Sequence, residues 1–171
     1  MGIEAMKTIL YFSYGSNMST LRLVDRVPSA RAVGHARLPG HRLKFHKKST
    51  DRSAKCDAEC TDDEKDYLHG VVFEIAIAEK PDLDKKEGLG IGYEEKRVCV
   101  FTPDGRSLEA VTYFATNIEP GLKPYEWYKE HVLRGAQEHG LPVDYIRIIA
   151  DIEAIADPDK ARHDRELSIY R

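Results

Sequence analysis

The chain has few cysteines and no long hydrophobic stretch. Three of its 171 residues are cysteine, which leaves an odd thiol. No uninterrupted apolar run approaches the length of a membrane span, and residues 1–7 lack both the apolar core of a signal peptide and a myristoylation pattern. We therefore expect a cytoplasmic protein without a membrane partner.

Patterns of metal ligands are also missing. The spacing between Cys56 and Cys60 is wider than the two-residue gap usual in a zinc knuckle. The seven histidines are scattered, without a His-Glu-x-x-His motif or a ligand pair at helical spacing. We therefore expect no metal site.

Charge is nearly balanced but unevenly distributed. The formal net charge is −3, yet ten Lys and Arg residues lie between Arg22 and Lys55, whereas the segment from Asp57 to Asp66 holds six acids and one lysine. Solvated strands and a polar loop would explain this distribution, as would nucleic-acid binding or steering of an anionic small substrate. Because aromatic residues are sparse in the basic stretch, nucleic acid is the weaker partner.

Length and composition bound the architecture. A chain of 171 residues with 42% hydrophobic content is long enough for one core and short for two domains. We predict a single domain over residues 1–171. Its charged tail from about Asp157 is interpreted as a solvated helix end or as partly disordered. A homodimer is left open.

Short strands are indicated in the first two thirds of the chain. Apolar runs and alternation predict strands at Thr8 to Ser13, Arg31 to Leu38, His41 to His46, Gly70 to Ile77, Glu94 to Thr102 and Leu108 to Thr116. Turn residues predict one hairpin around Pro39-Gly40 and another around Pro103-Asp104-Gly105. The polar segment from Lys47 to Tyr67 is interpreted as a long loop or a ragged hairpin.

Helical signals lie between and after these strands. They predict helices at Ser19 to Val24, from about Glu79 or Pro81 to Gly88, from Pro124 to Gly140, and from Val143 to about Ile155. About six strands and two long helices make an α+β domain. A strongly curved sheet or a small barrel would bury its alternating faces.

The segment from Tyr11 to Met18 joins an apolar strand to a glycine turn. A strand end followed by a helix N-cap would explain it without function. Alternatively, Gly15, which has no Cβ, lets the N–H groups of Tyr14, Gly15, Ser16 and Asn17 converge on an anion. Such a cradle would hold a substrate carboxylate or a developing oxyanion.

Glu87 occupies an unfavourable place for an acid. It lies in the last turn of a short predicted helix, where the negative end of the helix dipole and any burial disfavour a carboxylate. We therefore expect its pKa to be raised. The alternative is a solvated end residue whose charge is compensated by Lys85 and Lys86.

Four segments together resemble the gamma-glutamylcyclotransferase family. They are Tyr14-Gly-Ser-Asn17, Leu83-Asp-Lys-Lys-Glu-Gly88, Gly70-Val-Val-Phe73, which follows a histidine where the family commonly has tryptophan, and Gly135-Ala-Gln-Glu-His-Gly-Leu-Pro142. The resemblance runs from about Tyr11 to Ala154. It implies a mixed β-barrel with helices around it.

The resemblance also implies roles for individual residues. Glu87 matches the family's catalytic glutamate, and Tyr14 to Asn17 match its binding loop. Tyr93 matches a tyrosine that shapes the pocket, although the gap from the glutamate is about one residue tighter than in some relatives. Tyr125 resembles a tyrosine that contacts substrate, with helix packing as its alternative.

These residues support intramolecular aminolysis of a γ-glutamyl amide. The α-amine attacks its own γ-carbonyl, and one carboxylate serves first as base and then as acid. The loop supplies donors to the oxyanion, and the products are 5-oxoproline and an amine or amino acid. No cofactor is needed. The alternatives are a γ-glutamyl amide hydrolase and a non-catalytic module that binds a small anionic metabolite.

Overall fold

The computed structural model describes residues 5–171 of the chain. This part contains seven strands and five α-helices. The strands are β1 (Thr8–Ser13), β2 (Arg31–Pro39), β3 (His41–Lys48), β4 (Ala54–Cys60), β5 (Tyr67–Ala76), β6 (Tyr93–Phe101) and β7 (Ser107–Ala115). The helices are α1 (Thr20–Arg26), α2 (Lys80–Glu87), α3 (Glu126–Glu138), α4 (Val143–Ala150) and α5 (Lys160–Leu167).

Residues 1–4 lie outside the described residues. They include the start of the predicted domain and most of the N-terminal segment that was considered as a signal peptide. Within residues 5–171, none of the helices combines the length and the apolar character needed to cross a bilayer.

Five of the strands close into a barrel in the order β1, β5, β2, β6, β7. Neighbouring strands are antiparallel, except that β1 meets β7 in parallel at Tyr11 and Val111. The expected mixed barrel with flanking helices is therefore confirmed. Closure lets the apolar faces of all five strands share one core, whose largest fully buried side chains include Phe12, Leu68, Phe73 and Ile75.

The predicted hairpin between β2 and β3 is wrong. The chain turns at Gly40, but one edge of β2 pairs with β5 along its length and the other meets β6. With both edges occupied, β3 leaves the barrel and pairs with β4 in a separate two-stranded sheet. The segment from Lys47 to Tyr67 therefore contributes a strand, with a register shift between Phe45 and Lys47, as the ragged-hairpin alternative expects.

The later helices differ from the prediction at their ends. α3 begins at Glu126 rather than at Pro124, and α4 ends at Ala150, before Ile155. Two hydrogen bonds of Ile155 explain both differences. The N–H of Glu126 donates to the carbonyl of Ile155, and the N–H of Ile155 donates to the carbonyl of Pro124. This bridge keeps the chain extended before α3 and after α4.

The charged tail forms helix α5, so the partly disordered alternative is wrong. Asp159 caps α5 by accepting the N–H of Arg162 at 3.0 Å. Asp157 accepts two bonds of 2.6 Å from the Arg162 guanidinium and one of 2.8 Å from the Trp127 indole. The charges of the tail therefore attach it to α3.

Candidate active site

The loop after β1 forms a short 3₁₀ turn, Ser16–Met18. The N–H of Met18 donates to the carbonyl of Gly15 at 3.1 Å, so the N–H groups of Ser16 and Asn17 have no acceptor within the turn. Gly15 has a φ of −113°, which other residues also adopt. It is needed for close approach, because a Cβ there would lie 3.2 Å from the Cβ of Cys56.

Two neighbours hold this loop from behind. Helix α3 presses Gly135 against it so closely that a Cβ there would lie 2.5 Å from the carbonyl carbon of Met18. From α1, the Nε of Arg22 donates to the hydroxyl of Ser16 at 3.2 Å. The backbone donors of the loop are therefore held in fixed positions.

Glu87 faces this loop from the end of α2. The helix ends there because Gly88 adopts a left-handed conformation with a φ of 75°. The side-chain amide of Asn17 donates to the Glu87 carboxyl and, at 3.3 Å, to the hydroxyl of Tyr11. The two segments that the sequence analysis singled out are thus in direct contact.

Burial raises the pKa of the Glu87 carboxyl, as expected from the sequence. The positive charges of Arg26, Arg22 and Lys47 and the hydrogen bond from Asn17 act in the opposite direction, but burial dominates. A carboxyl with a raised pKa is better matched to accepting and returning a proton near neutral pH.

A small cavity of about 30 Å³ lies between the loop and Glu87. Most of its wall is aromatic or hydroxylic; the lining residues are Tyr11, Ser13, Tyr14, Gly15, Ser16, Asn17, Cys56, Glu87, Tyr93, Tyr113 and Tyr128. Internal hydrogen bonds position several tyrosines. The hydroxyl of Tyr14 donates to the carbonyl of Tyr113 at 2.5 Å, and that of Tyr93 to the carbonyl of Cys56 at 2.5 Å.

Two polar atoms of this cavity have no hydrogen-bond partner among residues 5–171. They are the hydroxyl of Ser13 and the side-chain carbonyl of Asn17, and both are buried. Because Asn17 directs its amide nitrogen at a carboxylate, its oxygen is free to accept. Leaving a buried polar group unpaired costs about 1–3 kcal/mol, so a ligand that supplies donors would recover that cost.

The cavity offers no activated covalent nucleophile. Burial raises the pKa of the Cys56 thiol to about 12, and a thiol rather than a thiolate is a poor nucleophile. No histidine is among the described residues that line the cavity. Over residues 5–171, no three His, Cys, Asp or Glu side chains are grouped as ligands of a metal ion would be.

A larger hollow of about 120 Å³ adjoins the cavity. We call it the vestibule. It shares Ser16, Glu87, Tyr93 and Tyr128 with the inner cavity and is otherwise lined by Arg22, Arg26, Lys47, Ser49, Lys55 and Lys86. The carboxyl of Glu87 therefore stands between an aromatic chamber and a basic entrance.

Six of the seven sequence-predicted site residues line the inner cavity: Tyr14, Gly15, Ser16, Asn17, Glu87 and Tyr93. Tyr125 is elsewhere. Its hydroxyl donates to the carbonyl of Asp51 at 2.7 Å, and its ring lies 5.3 Å from the Arg162 guanidinium. This position fits the helix-packing alternative for Tyr125.

Sequence reasoning missed the remaining wall residues. A signal existed for Tyr11 and Ser13, which alternate with Phe12 along β1 and so share one face of the strand. Tyr128 recurs with Val132 and Ala136 at fourfold spacing, a pattern that indicates helix packing, and all three are buried on α3. Cys56 and Tyr113 carry no local signal, because strand pairing far along the chain brings them to the cavity.

Several known proteins are similar to this chain. The model of the AIG2-like family matches residues 67–149. A gamma-glutamylcyclotransferase from Bos taurus is 34% identical over 151 residues, covering 86% of this chain and 80% of the bovine protein. The solved structure of a gamma-glutamyl cyclotransferase is 28% identical with a TM-score of 0.81, over 93% of this chain and 99% of that one. A crystal structure of an uncharacterized human protein is 30% identical with a TM-score of 0.85, over 96% and 99%.

Proposed function

The chain belongs to the gamma-glutamylcyclotransferase family and is a gamma-glutamylcyclotransferase-like enzyme, and we propose that it cyclises a γ-glutamyl amide to 5-oxoproline. The observation that carries this proposal is the position of the Glu87 carboxyl, which has a raised pKa and lines the same small cavity as the Tyr14 to Asn17 loop. A cytoplasmic location belongs to the same proposal.

The reaction needs no external nucleophile. In a γ-glutamyl amide, the α-amine can reach its own γ-carbonyl carbon through a five-membered ring. An enzyme that holds the substrate in this folded conformation accelerates the attack, because the two reacting groups no longer have to find each other. One C–N bond forms within the glutamyl half and another breaks to the leaving amine, so no water is consumed.

Glu87 moves the protons in this scheme. It takes a proton from the α-ammonium, which frees the lone pair for attack, and returns one to the nitrogen of the departing amine. The amide of Asn17 holds the carboxyl in place. The unpaired carbonyl of Asn17 and the hydroxyl of Ser13 supply acceptors for the ammonium before it reacts.

The loop stabilises the charge that develops on the carbonyl oxygen. The N–H groups of Ser16 and Asn17 have no acceptor within the turn, and Gly15 lets the backbone pack closely beside Cys56. Donors that are fixed before the reaction stabilise an oxyanion without reorganisation, a contribution typically of about 3–4 kcal/mol for each donor.

The two alternative functions fit the cavity less well. A hydrolase acting through a covalent intermediate would need an activated nucleophile, and the Cys56 thiol is protonated. A module built to capture an anion gains nothing from the second negative charge of Glu87. Cyclisation, in contrast, requires a group such as the Glu87 carboxylate to take the proton from the α-ammonium.

The test is the product formed from γ-glutamyl compounds with and without a free α-amine. We expect γ-glutamyl amides to release 5-oxoproline, detected by mass spectrometry, while N-acetylated and α-linked analogues remain intact. N-acetylation removes the attacking amine and leaves the scissile amide unchanged, so it is the matched control. Equal turnover of an N-acetylated analogue would exclude cyclisation and establish hydrolysis.

A further inference from the structure

The vestibule contains more positive charge than its own acids can balance. Five of its described lining residues are cationic: Arg22, Arg26, Lys47, Lys55 and Lys86. Arg22 pairs with Glu166 at 2.6 Å, and Lys55 pairs with Asp51 at 2.8 Å. Within residues 5–171, no carboxylate lies within 4.0 Å of the other three.

Lys47 is the most informative of these three cations. The residue is 8% exposed, and its stem packs on Gly92, where a Cβ would lie 2.9 Å from its Cε. Its ammonium lies 4.8 Å from the centre of the Tyr93 ring. A cation–π contact offsets part of the cost of burial, but the three donors of the ammonium have no acceptor among residues 5–171. Such a group is suited to bind an anion.

The position of Lys47 follows from the fold. It lies at the register shift of β3, and its backbone bridges to Ile118 beyond the end of β7. Its side chain therefore enters the vestibule beside Tyr93 and Glu87, which also line the inner cavity. Arg26 reaches the same hollow from the end of α1.

The leaving group has to extend into this hollow. Under the proposed function, the glutamyl half reacts beside Glu87 and the loop, so the departing amine points out of the inner cavity. The vestibule is the space that continues from it. An uncharged amine would leave Lys47 and Arg26 unpaired, and one carboxylate would satisfy one of them fully. Two carboxylates would satisfy both.

We propose, resting on the proposed function, that the vestibule is an anionic leaving-group site that favours γ-glutamyl compounds of acidic amino acids. Lys47 and Arg26 are its specificity-determining residues. Arg26 and Lys86 also line an outer hollow of about 350 Å³, which Arg165 and the carboxylates of Asp25 and Glu166 border as well, so the leaving group has room to extend past Arg26. Arg22 and Lys55 are paired with their own carboxylates and therefore add little net charge to the vestibule.

The test compares kcat/KM for three substrates that share the same γ-glutamyl half and differ only in the leaving group. They are γ-glutamyl-glutamate, γ-glutamyl-alanine and γ-glutamyl-ethylamide, whose leaving groups carry two, one and no carboxylates. We expect kcat/KM to be highest for γ-glutamyl-glutamate, lower for γ-glutamyl-alanine and lowest for γ-glutamyl-ethylamide. Each step should be about tenfold or more, which is the usual contribution of a hydrogen bond to a charged group. Lys47→Met should reduce the preference for the acidic substrate over the ethylamide by at least about tenfold.

Controls separate this effect from effects on catalysis. Loss of the Lys47 charge also acts on Glu87, but that effect is common to all three substrates and cancels in the ratio. Arg26→Met repeats the test at a less buried position. Lys85→Met, on the same helix as Lys86 but outside the vestibule lining, should leave the ratio unchanged. Equal kcat/KM for the three substrates, or an unchanged ratio in Lys47→Met, would overturn the inference.

Failure of the proposed function gives a different result. In that case none of the three compounds releases 5-oxoproline. Calorimetric binding of γ-glutamyl-glutamate then tests whether the vestibule binds anions. Weaker binding to Lys47→Met than to the wild type would still support an anion site. Identical affinities would refute it.

Discussion

At the scale of single residues, Glu87 carries a charge in a place that disfavours it. It ends a helix, where the dipole repels a carboxylate, and burial raises its pKa. The hydrogen bond from Asn17 and the positive charges of Arg26, Arg22 and Lys47 offset part of the cost of burying this carboxylate. Locally unfavourable groups of this kind are concentrated at functional sites.

We expect Glu87→Gln to lower turnover by roughly 10²–10⁴-fold, because the amide keeps the shape of the side chain but cannot transfer protons. Single-turnover 5-oxoproline release measures this loss. Glu94→Gln, an exposed change on β6, is the control. A folded Glu87→Gln protein that turns over within about twofold of the wild type would remove the general-base role, since a real one should cost far more.

Glu87→Gln should also change how stability depends on pH. Because the folded-state pKa is raised above the usual 4.5, the folded protein holds this proton more tightly than the unfolded chain. The contribution of Glu87 to stability therefore falls as the pH rises from about 4.5 through the raised pKa. The stability of the variant relative to the wild type should grow over that window, as measured by urea unfolding at several pH values.

At the scale of elements, helix α5 supports the loop after β1 from a distance. Glu166 accepts a bond of 2.6 Å from Arg22, which in turn donates to Ser16. Beyond α5, the hydroxyl of Tyr170 donates to Ser19 at 2.8 Å. Burial acts to raise the pKa of Glu166, but the hydrogen bond from His131 and the charge of Arg22 hold it down at about 2.

We expect Glu166→Gln to lower stability at neutral pH by about 1–2 kcal/mol, since the pair is partly buried, and kcat/KM by several-fold. A depressed pKa stabilises the protein above the unfolded-state value of about 4.5, and this stabilisation is lost as the pH falls towards 2. The stability difference between variant and wild type should therefore shrink over that range in urea titrations.

Asp164→Asn, at an exposed position of the same helix, is the matched control for the tail. It removes the same charge without touching Arg22. If Glu166→Gln and Asp164→Asn behaved alike in stability and kcat/KM, the tail would have no role in supporting the loop.

At the scale of the whole molecule, closure of the barrel and formation of the cavity depend on the same contacts. Gly70 of β5 packs so tightly on β1 that a Cβ there would lie 2.4 Å from the carbonyl oxygen of Ser13 and 2.7 Å from the Phe12 ring. Ser13 lines the cavity, so the packing of β1 on β5 also sets one wall of the site.

We therefore expect Gly70→Ala to cost at least about 2–3 kcal/mol, since the backbone of β1 cannot give way as a flexible side chain would. Chemical unfolding measures this cost. In Gly105→Ala no atom lies within 4 Å of the new Cβ, so that variant costs only the strain of its left-handed backbone, about 1–2 kcal/mol. Equal losses in the two variants would contradict the packing argument.

The sequence by itself determined most of the elements and indicated the two segments that meet at the candidate site. Alternation and turn residues predicted β1 and the hairpin of β6 and β7, and Gly88 marked the end of α2 after Glu87. The resemblance to the family rested on short contiguous motifs. All of these signals are local, because hydrogen bonding and side-chain direction within a strand or helix repeat over a few residues.

Only the tertiary structure decided which strands pair and what surrounds Glu87. The occupied edges of β2 sent β3 into a second sheet, and that sheet brought Cys56 and Lys47 to the site. The bridge to Ile155 set the start of α3 and left Tyr125 away from the cavity. These outcomes depend on competition for strand edges and on contacts between residues far apart in the chain, which no local pattern records.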